Sequence, residues 1–422
     1  MKLSATPAAD IVTTTVSRFR WAMVAFAFCA TVINYLDRQV LSITAPILKQ
    51  EFHMTDEGYG LVLAAFMLAY AVMNGLSGPL IDRIGTRIGY ACCMAWWSTA
   101  GILHMFARGT FSLGLFRFLL GMGEAGNWPA GVKLVSEWFP ARERALASGI
   151  FNSGAAIGAV IAPPVIVKLV AHWGWQGAFL AIGILGYLWL ILWKLFSREP
   201  VRRASAERAK RVPVRELMRT RFVPFFTLSK VFVDPVWYFY IFWIPKYLST
   251  VHHLSLLEIG QWAWIPFLTG DIGNIGGGAL AGLMMRSGME VATARRVCMT
   301  IFAFCMASAA GAVFAPNFEW ALVWVSLATF GYTGYSANML ALPADVFPKT
   351  AVASVYGLAS MGSGFGGMLF SWLTGRVVDR HGYAPVLVGY SILPLVALAI
   401  LLFLCGSLRR DERFANDEPH DV

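Results

Sequence analysis

The sequence predicts an all-α membrane protein of twelve transmembrane helices, arranged as two pseudo-symmetric six-helix bundles. Composition is the first reason. Of 422 residues, 57% are hydrophobic and only 14% are charged, with a mean hydropathy of +0.60, which leaves too little polar surface to cover soluble globules. The 40 glycines and 16 tryptophans fit the same class, because Gly and interfacial Trp are frequent in membrane helices. The second reason is that the apolar residues fall into twelve runs, each near the about 20 residues needed to cross a hydrocarbon core of about 30 Å. The third is an internal repeat between the halves.

The elements follow in order. Residues 1–20 form a polar N-terminal tail, and Met1 to Arg20 holds no short apolar segment with a small-residue cleavage site, so no cleaved signal peptide is expected. The first bundle, 21–196, contains crossings at about 21–47, 58–80, 87–107, 112–137, 145–169 and 175–196. A basic linker, 197–223, follows, with Arg198, Arg202, Arg203, Arg208, Lys210, Arg211, Arg215, Arg219 and Arg221 against Glu199, Glu207 and Glu216. The second bundle, 224–408, contains crossings at about 224–249, 259–285, 295–315, 320–344, 351–375 and 384–407. Residues 409–422 are a second polar tail.

An even number of crossings puts both termini on one side. The loops sharing that side, with both tails, hold about 23 of the 34 Lys and Arg, so the positive-inside rule makes both termini cytoplasmic. The net charge of +10 would suit nucleic acid. Its confinement to short segments between apolar runs points instead to topology anchors facing anionic lipid, so the lipid bilayer is an expected partner and nucleic acid is not. The six cysteines (Cys29, Cys92, Cys93, Cys298, Cys305, Cys405) lie within apolar runs without metal-ligand spacing. They are expected to be packed thiols.

At an offset of 208 residues, Gly123 and Gly126 match Gly331 and Gly334, and Glu137 matches Asp345. Phe139-Pro140 matches Phe347-Pro348, Ala145 matches Ala353, and Gly149, Gly154 and Gly158 match Gly357, Gly362 and Gly366. A duplicated half with a midplane cleft between the copies is the architecture of many secondary transporters.

Charges at membrane depth cost a few kcal/mol each on insertion scales and mark function by default. Asn34-Tyr35-Leu36-Asp37-Arg38 falls near the middle of the first crossing, while Arg117 and Glu124 stand seven residues, or two turns, apart on the fourth. Adjacent Asp37 and Arg38 diverge by about 100° around their helix and can reach two partners. Asp37 is expected to approach Arg117, and Arg38 to approach Glu124. Pure helix pinning is the competing explanation, but a buried ion pair contributes little net stability. In the functional reading, Arg38 grips a carboxylate in a bidentate fork. Glu124 then loses its counter-charge and takes up a proton, so anion binding and protonation assist each other. Asp37 beside Arg117 would be a second proton site in a coupled set.

Polar side chains nearby suit a polyhydroxylated ligand. Phe66, Tyr70 and Asn74 recur every four residues, so Tyr35 and Tyr70 can both face the cleft; Asn152, Asn338, Ser360 and Tyr332-Thr333-Gly334-Tyr335 are polar in apolar surroundings. Together they would line a sugar site, although a hydrogen bond within the bundle explains any one of them alone. Asp234, before Pro235, could cap a helix or pair with Lys230, and Asp271 with Asn274 sits in a Gly-rich stretch. Either acid could serve coupling, but packing or hinge roles are the expectation for both. His252-His253 are expected to be solvated.

Gly78-Pro79-Leu80-Ile81-Asp82-Arg83-Ile84-Gly85-Thr86-Arg87 resembles the G-x-x-x-D-R-x-G-x-R loop of the major facilitator superfamily, and Arg117-x-x-x-Gly121-x-Gly123-Glu124 resembles its fourth-helix motif tied to proton coupling. Asn34 to Arg38, Trp138-Phe139-Pro140 with Glu143-Arg144-Ala145, Asp234-Pro235-Val236-Trp237 leading to Trp243-Ile244-Pro245-Lys246-Tyr247-Leu248, and Pro343-Ala344-Asp345-Val346-Phe347-Pro348 are similar to the anion:cation symporter branch, within it to hexuronate transporters. The resemblance spans essentially 18–408. It implies the superfamily fold and a proton-coupled symporter, working as a monomer in the cell inner membrane. Its cargo would be a sugar acid, a hexuronate such as glucuronate or galacturonate, imported with H+ by alternating access. It implies that Tyr35, Arg38 and Tyr70 contact the small organic anion, that Asp37, Arg117 and Glu124 carry proton coupling, and that Gly78, Asp82, Arg83, Gly85 and Arg87 form a gating motif. Ser360 stands where an aldonate-carrying relative has Asn.

Related acids such as galactonate or glucarate are alternatives. An organic-anion or phosphate exchanger would want basic residues from both halves and no acid partner, and Asp37 and Glu124 beside Arg38 argue against it. The two-half repeat speaks against a channel. No G-x-S-x-G, H-E-x-x-H, nucleotide loop or buried His cluster is present, so neither an enzyme nor a cofactor or metal is expected.

Overall fold

The structure, a computed structural model, describes residues 7–139, 141–198, 213–347, 349–406 and 408. Pro140, Pro348, most of the basic linker (199–212) and the tail 409–422 lie outside the described residues, as do the side chains of Asp82, Arg144, Ala145 and Ala353.

The described residues form helices and no strand. The first half comprises α1 (Pro7–Glu51), α2 (Asp56–Ile84), α3 (Thr86–Leu103), α4 (Thr110–Glu124), α5 (Asn127–Trp138) and α6 (Ala141–Phe196). α4 and α5 make one crossing, stepped at Ala125-Gly126, and α6 makes two, broken at Gly174. The φ of 68° at Gly174 is open to glycine at no steric cost. After α7 (Val214–Met218), the second half comprises α8 (Phe222–Val251), α9 (Leu256–Trp262), α10 (Ile265–Arg286), α11 (Val291–Ala307), α12 (Phe318–Val346), α13 (Lys349–His381) and α14 (Ala384–Ala399). α9 and α10 are one crossing, which brings the total to twelve in two bundles of six.

Helix starts are set by local chemistry. The Thr55 hydroxyl accepts from Gly58 N at 3.0 Å to open α2, Ser255 and Glu258 form a capping box on α9, and the Asn317 side chain caps α12. Each satisfies backbone N–H groups that lack an intrahelical partner. Among the described residues, five stretches are long and apolar enough to cross a membrane unaided, among them Ala147–Phe196 and Ala384–Leu404. Several other crossings are stepped or carry polar groups that the bundle buries, such as Ser326, Thr329 and Asn338 on α12.

The repeat is visible in the packing. A Cβ at Gly154 would lie 2.6 Å from Phe28 O on α1, and at Gly158 3.0 Å from Val32 O. Their mates in α13 seat against α8 alike: a Cβ at Gly362 would lie 3.1 Å from Thr227 O, and at Gly366 2.3 Å from Val231 O. Gly123 and Gly331 likewise press on α3 and on α11. Absent side chains let the backbones close, as small residues do in membrane bundles.

The halves meet along α2 and α13 from Asp56 as far as Gly75, where a Cβ would lie 3.2 Å from Met361 Sδ, and most tightly at the Asp56 end. There the Ser42 hydroxyl donates to Ile241 O at 2.8 Å, and the Tyr59 hydroxyl to Phe242 O at 2.7 Å. α2 lies directly on α13: a Cβ at Gly375 would sit 2.2 Å from Asp56 O, and one at Gly60 2.6 Å from Ser371 O. Charges complete the closure. The Asp379 carboxylate accepts from the backbone N–H of Asp56 and Glu57, and Asp56 pairs with Lys49 at 2.6 Å and with Lys246. At the opposite end Gly78, Gly149 and Gly357 have no atom within 4 Å of a would-be Cβ. Among the described residues, the Ser42, Tyr59, Asp379 and Lys49 contacts close the seam between the halves at the Asp56 end.

Two expectations need correction. Cys29 and Cys92 are exposed on the outer faces of their helices, whereas Cys298 and Cys405 are buried; a thiol is apolar enough to face lipid as readily as core. His252 is half-buried, with its Nε2 3.0 Å from the Tyr247 hydroxyl. This burial lowers its pKa from the usual histidine value.

Candidate functional site

Halfway along α1, Tyr35, Asp37 and Arg38 turn inward and are all buried. Arg38 Nε donates to Glu124 Oε2 at 2.7 Å, and the two side chains are only 4% and 0% exposed. The guanidinium carbon lies 4.7 Å from the Tyr70 ring centre and 5.4 Å from those of Tyr35 and Phe66. Phe66 and Tyr70, four residues apart on α2, stack with centres 5.7 Å apart. The aromatic walls supply cation–π attraction, which strengthens where water is excluded. Arg38 Nη2 and Glu124 Oε1 make no close hydrogen bond among the described residues, with Tyr70 the polar neighbour of the guanidinium and Asn34 that of the carboxylate. A bidentate fork is therefore half used.

Arg117 is brought to the same place but not as expected. Its Nη2 donates to Arg38 O at 2.8 Å and its Nη1 to Asp37 O at 3.4 Å, so it clamps the backbone of α1 and not the Asp37 carboxylate. Asp37 instead points toward α3, where a Cβ on Gly101 would lie 3.2 Å from its Oδ1, and its Oδ2 has no hydrogen-bond partner among the described residues. The 100° divergence of Asp37 from Arg38 leaves its carboxylate pointing across to α3. Asp37 and Arg117 are neighbours without an ion pair.

The facing wall belongs to α8, α12 and α13. Lys230 Nζ pairs with Asp234 Oδ2 at 2.8 Å, one turn apart on α8. The Tyr332 hydroxyl donates to Asp234 Oδ1 at 3.2 Å, and the Tyr332 ring stacks on Trp237 at 5.2 Å. Tyr238 and Ser363 hydroxyls are 3.1 Å apart. Tyr356, 41% exposed to the open cleft, has Lys230 Nζ 5.9 Å from its ring centre, and Ser360 lies beside it one turn along α13. Tyr35 reaches Trp237, and Tyr70 lies within electrostatic range of Tyr238 and Tyr356. The pairing of Asp234 with Lys230 was among the expectations, but that the pair stands on this wall was not. The four-residue spacing of Lys230 and Asp234 was the available signal, but it does not say which way that face of α8 turns.

The remaining expected residues fall elsewhere. Asn338 is fully buried and spent on structure: its Nδ2 donates to Gly277 O and Gly334 O at 3.0 Å each, while its Oδ1 accepts from Arg295 Nη1 at 3.1 Å. Arg295 is held in turn by Asp345 at 3.0 Å. Asn338 therefore clasps α10 and α11 to α12 and does not line the cleft. Asn152 is exposed on α6, between Phe151, which packs on Gly131 of α5, and Gly154, which seats on α1. Ser360 is on the second wall. In the gating motif, Gly85 with φ 86° separates α2 from α3, Arg83 is exposed, and Arg87 Nε donates to Ser197 Oγ at 3.0 Å. An apolar groove of about 390 Å³ between α13 and α14, lined by residues such as Leu373 and Val386, involves none of these charges. No group of three or more potential metal ligands occurs among the described residues.

The sequence matches the Major Facilitator Superfamily over residues 27–371. It is 31% identical over 401 residues to a hexuronate transporter of Escherichia coli (strain K12), spanning 90% of this chain and 93% of that protein. It is also 31% identical over 306 residues to a galacturonate transporter of Dickeya chrysanthemi, spanning 68% of this chain and 89% of that protein. The solved D-xylose-proton symporter superposes with a TM-score of 0.77 at 14% identity, covering 92% of this chain and 98% of that one. With its twelve crossings in two mirrored bundles closed around a charged cleft, this chain belongs to the Major Facilitator Superfamily of membrane transporters.

Proposed function

We propose that the protein imports a sugar acid, specifically a hexuronate such as glucuronate or galacturonate, together with protons across a bacterial inner membrane. The observation that carries this reading is the buried Arg38–Glu124 pair beside Tyr35 and Tyr70, with one guanidinium nitrogen and one carboxylate oxygen unused. A substrate carboxylate offers Arg38 the bidentate geometry that Glu124 does not use. As Arg38 turns to it, Glu124 is left buried without a counter-charge and binds a proton. Asp37 is the second proton carrier, and Arg117 holds the α1 backbone that presents both groups. Tyr35, Tyr70, Asn152 and Ser360 take hydroxyls. The relatives named for hexuronate and galacturonate transport support the substrate class.

The positive-inside distribution puts the Gly78 end and both termini in the cytoplasm, so the Asp56 seam is the outward gate. Alternating access then consists of parting the Asp56 seam while the Gly78 end closes around the same site. Arg38 has a cationic counterpart, Lys230, across the seam, yet each cation keeps an acid partner, which favours coupled symport over phosphate exchange. The test is uptake into proteoliposomes. An inward proton gradient should accumulate glucuronate or galacturonate above equilibrium, and accumulation indifferent to the gradient would eliminate symport.

A further inference from the structure

The second wall repeats the device of the first. In each half a buried cation is held by one acid and faces tyrosines at the seam: Arg38 with Glu124 and Tyr70, Lys230 with Asp234 and Tyr356. Asp234 is also held from behind by the Tyr332 hydroxyl, so it keeps a partner if Lys230 swings away. An ammonium has three N–H donors, and the ion pair with Asp234 uses one of them. Tyr356 is open to the cleft on that side. Tyr238 stands within electrostatic range of both Arg38 and Asp234, and Tyr70 within range of both Tyr238 and Tyr356. Tyr70, Tyr238 and Tyr356 thus link the surroundings of the two cations.

We infer that Lys230 is a second anion-binding group of the same cleft, so that six-carbon sugar diacids are ligands, with one carboxylate on Arg38 and the other on Lys230. The inference rests on the sugar-acid reading above and extends it from one acid group to two. A hydroxyl at the far end of a uronate can accept a hydrogen bond from Lys230 but leaves its charge with Asp234. A second carboxylate competes for that charge directly, as the first competes with Glu124 for Arg38. Because Lys is a compact point charge on a flexible stem, it tolerates carboxylates at slightly different reach and orientation. Lys230 thereby sets preference by the number of acid groups, and the tyrosines and Ser360 read the hydroxyls between them.

The test is binding of glucarate and glucuronate to the purified full chain, read by calorimetry, in the native protein, Lys230→Gln, Lys230→Arg and the double variant Lys230→Gln/Asp234→Asn. The double variant removes the ion pair as a unit and leaves no unpaired buried charge, so it serves where Lys230→Gln alone folds poorly. The native protein should bind both acids. Loss of the ammonium should weaken glucarate by about tenfold or more and glucuronate by no more than about threefold, since unmatched charges discriminate more sharply than unmatched apolar contacts. Lys230→Arg should keep most glucarate binding. A native protein that binds glucuronate but not glucarate overturns this inference alone, as does an equal loss for both acids in the variants. A native protein that binds neither overturns the sugar-acid reading as well.

Discussion

Replacing Glu124 with Gln separates the two halves of the coupling argument. Glutamine keeps the shape and an acceptor oxygen, so Arg38 Nε retains a hydrogen bond near its present 2.7 Å. The bond changes from charge-assisted to neutral. Hydrogen bonds to charged groups contribute about 1.5–3 kcal/mol and neutral ones about 0.5–1.5 kcal/mol, so the competitor for Arg38 weakens by about 1.2 kcal/mol, close to one decade. Substrate should bind about tenfold tighter, because one decade in an equilibrium constant is about 1.4 kcal/mol. Binding should also lose the share of its pH dependence that Glu124 carries, leaving only that of Asp37. The native protein binds better as acidification discharges Glu124 and frees Arg38, and the substituted amide mimics the discharged state at every pH. Uphill transport should disappear. A gradient of one pH unit is worth about 1.36 kcal/mol per coupled proton, enough for about tenfold accumulation, whereas the variant should equilibrate at equal concentrations inside and out. Calorimetry at two pH values and flux in proteoliposomes read these separately. Weaker binding, or accumulation still driven by the gradient, would refute the assignment.

Arg38→Lys should lose at least about a hundredfold in affinity without unfolding, since a point charge cannot reproduce the bidentate fork; binding isotherms and a melting curve distinguish the two effects. Gly375→Ala places a methyl group against Asp56 O at the closed end and should disfavour that state by about 1–3 kcal/mol. Faster labelling from the outside of a cysteine placed at Ser42, in a background without the native cysteines, checks this. Asn338→Ala should cost about 1–3 kcal/mol of stability by stranding Arg295 and two helix carbonyls, with substrate affinity unchanged in the same preparation.

The fold was legible because membrane burial writes itself as long apolar runs, and the Gly154/Gly362 and Gly158/Gly366 correspondences were legible because helix contact at those points excludes any side chain. The Arg38–Glu124 pair was legible from the helical phase of two motifs. What phase alone does not give is which neighbour a side chain meets. Asp37 and Arg117 do converge, but the guanidinium finds the carbonyls of residues 37 and 38 before it finds the carboxylate. Asn338 is as polar as a ligand contact and as polar as a helix clasp, and only the approach of α10 through Gly277 decides between them. The Lys230–Asp234 pairing was legible from its four-residue spacing, but the direction it faces was not. α8 is buried on almost every side, so its sequence has no apolar stripe from which to infer the direction of its charged turn.

The paired glycine seats also limit how the molecule moves. With α1 fastened to α6 at Gly154 and Gly158, and α8 fastened to α13 at Gly362 and Gly366, the charged helices have no slack to flex independently of the helices that carry the seam. Each bundle must tilt as one block. Parting the Asp56 clasp and drawing Gly149 and Gly357 together are then two ends of a single lever stroke, so a crosslink across either end should freeze the other.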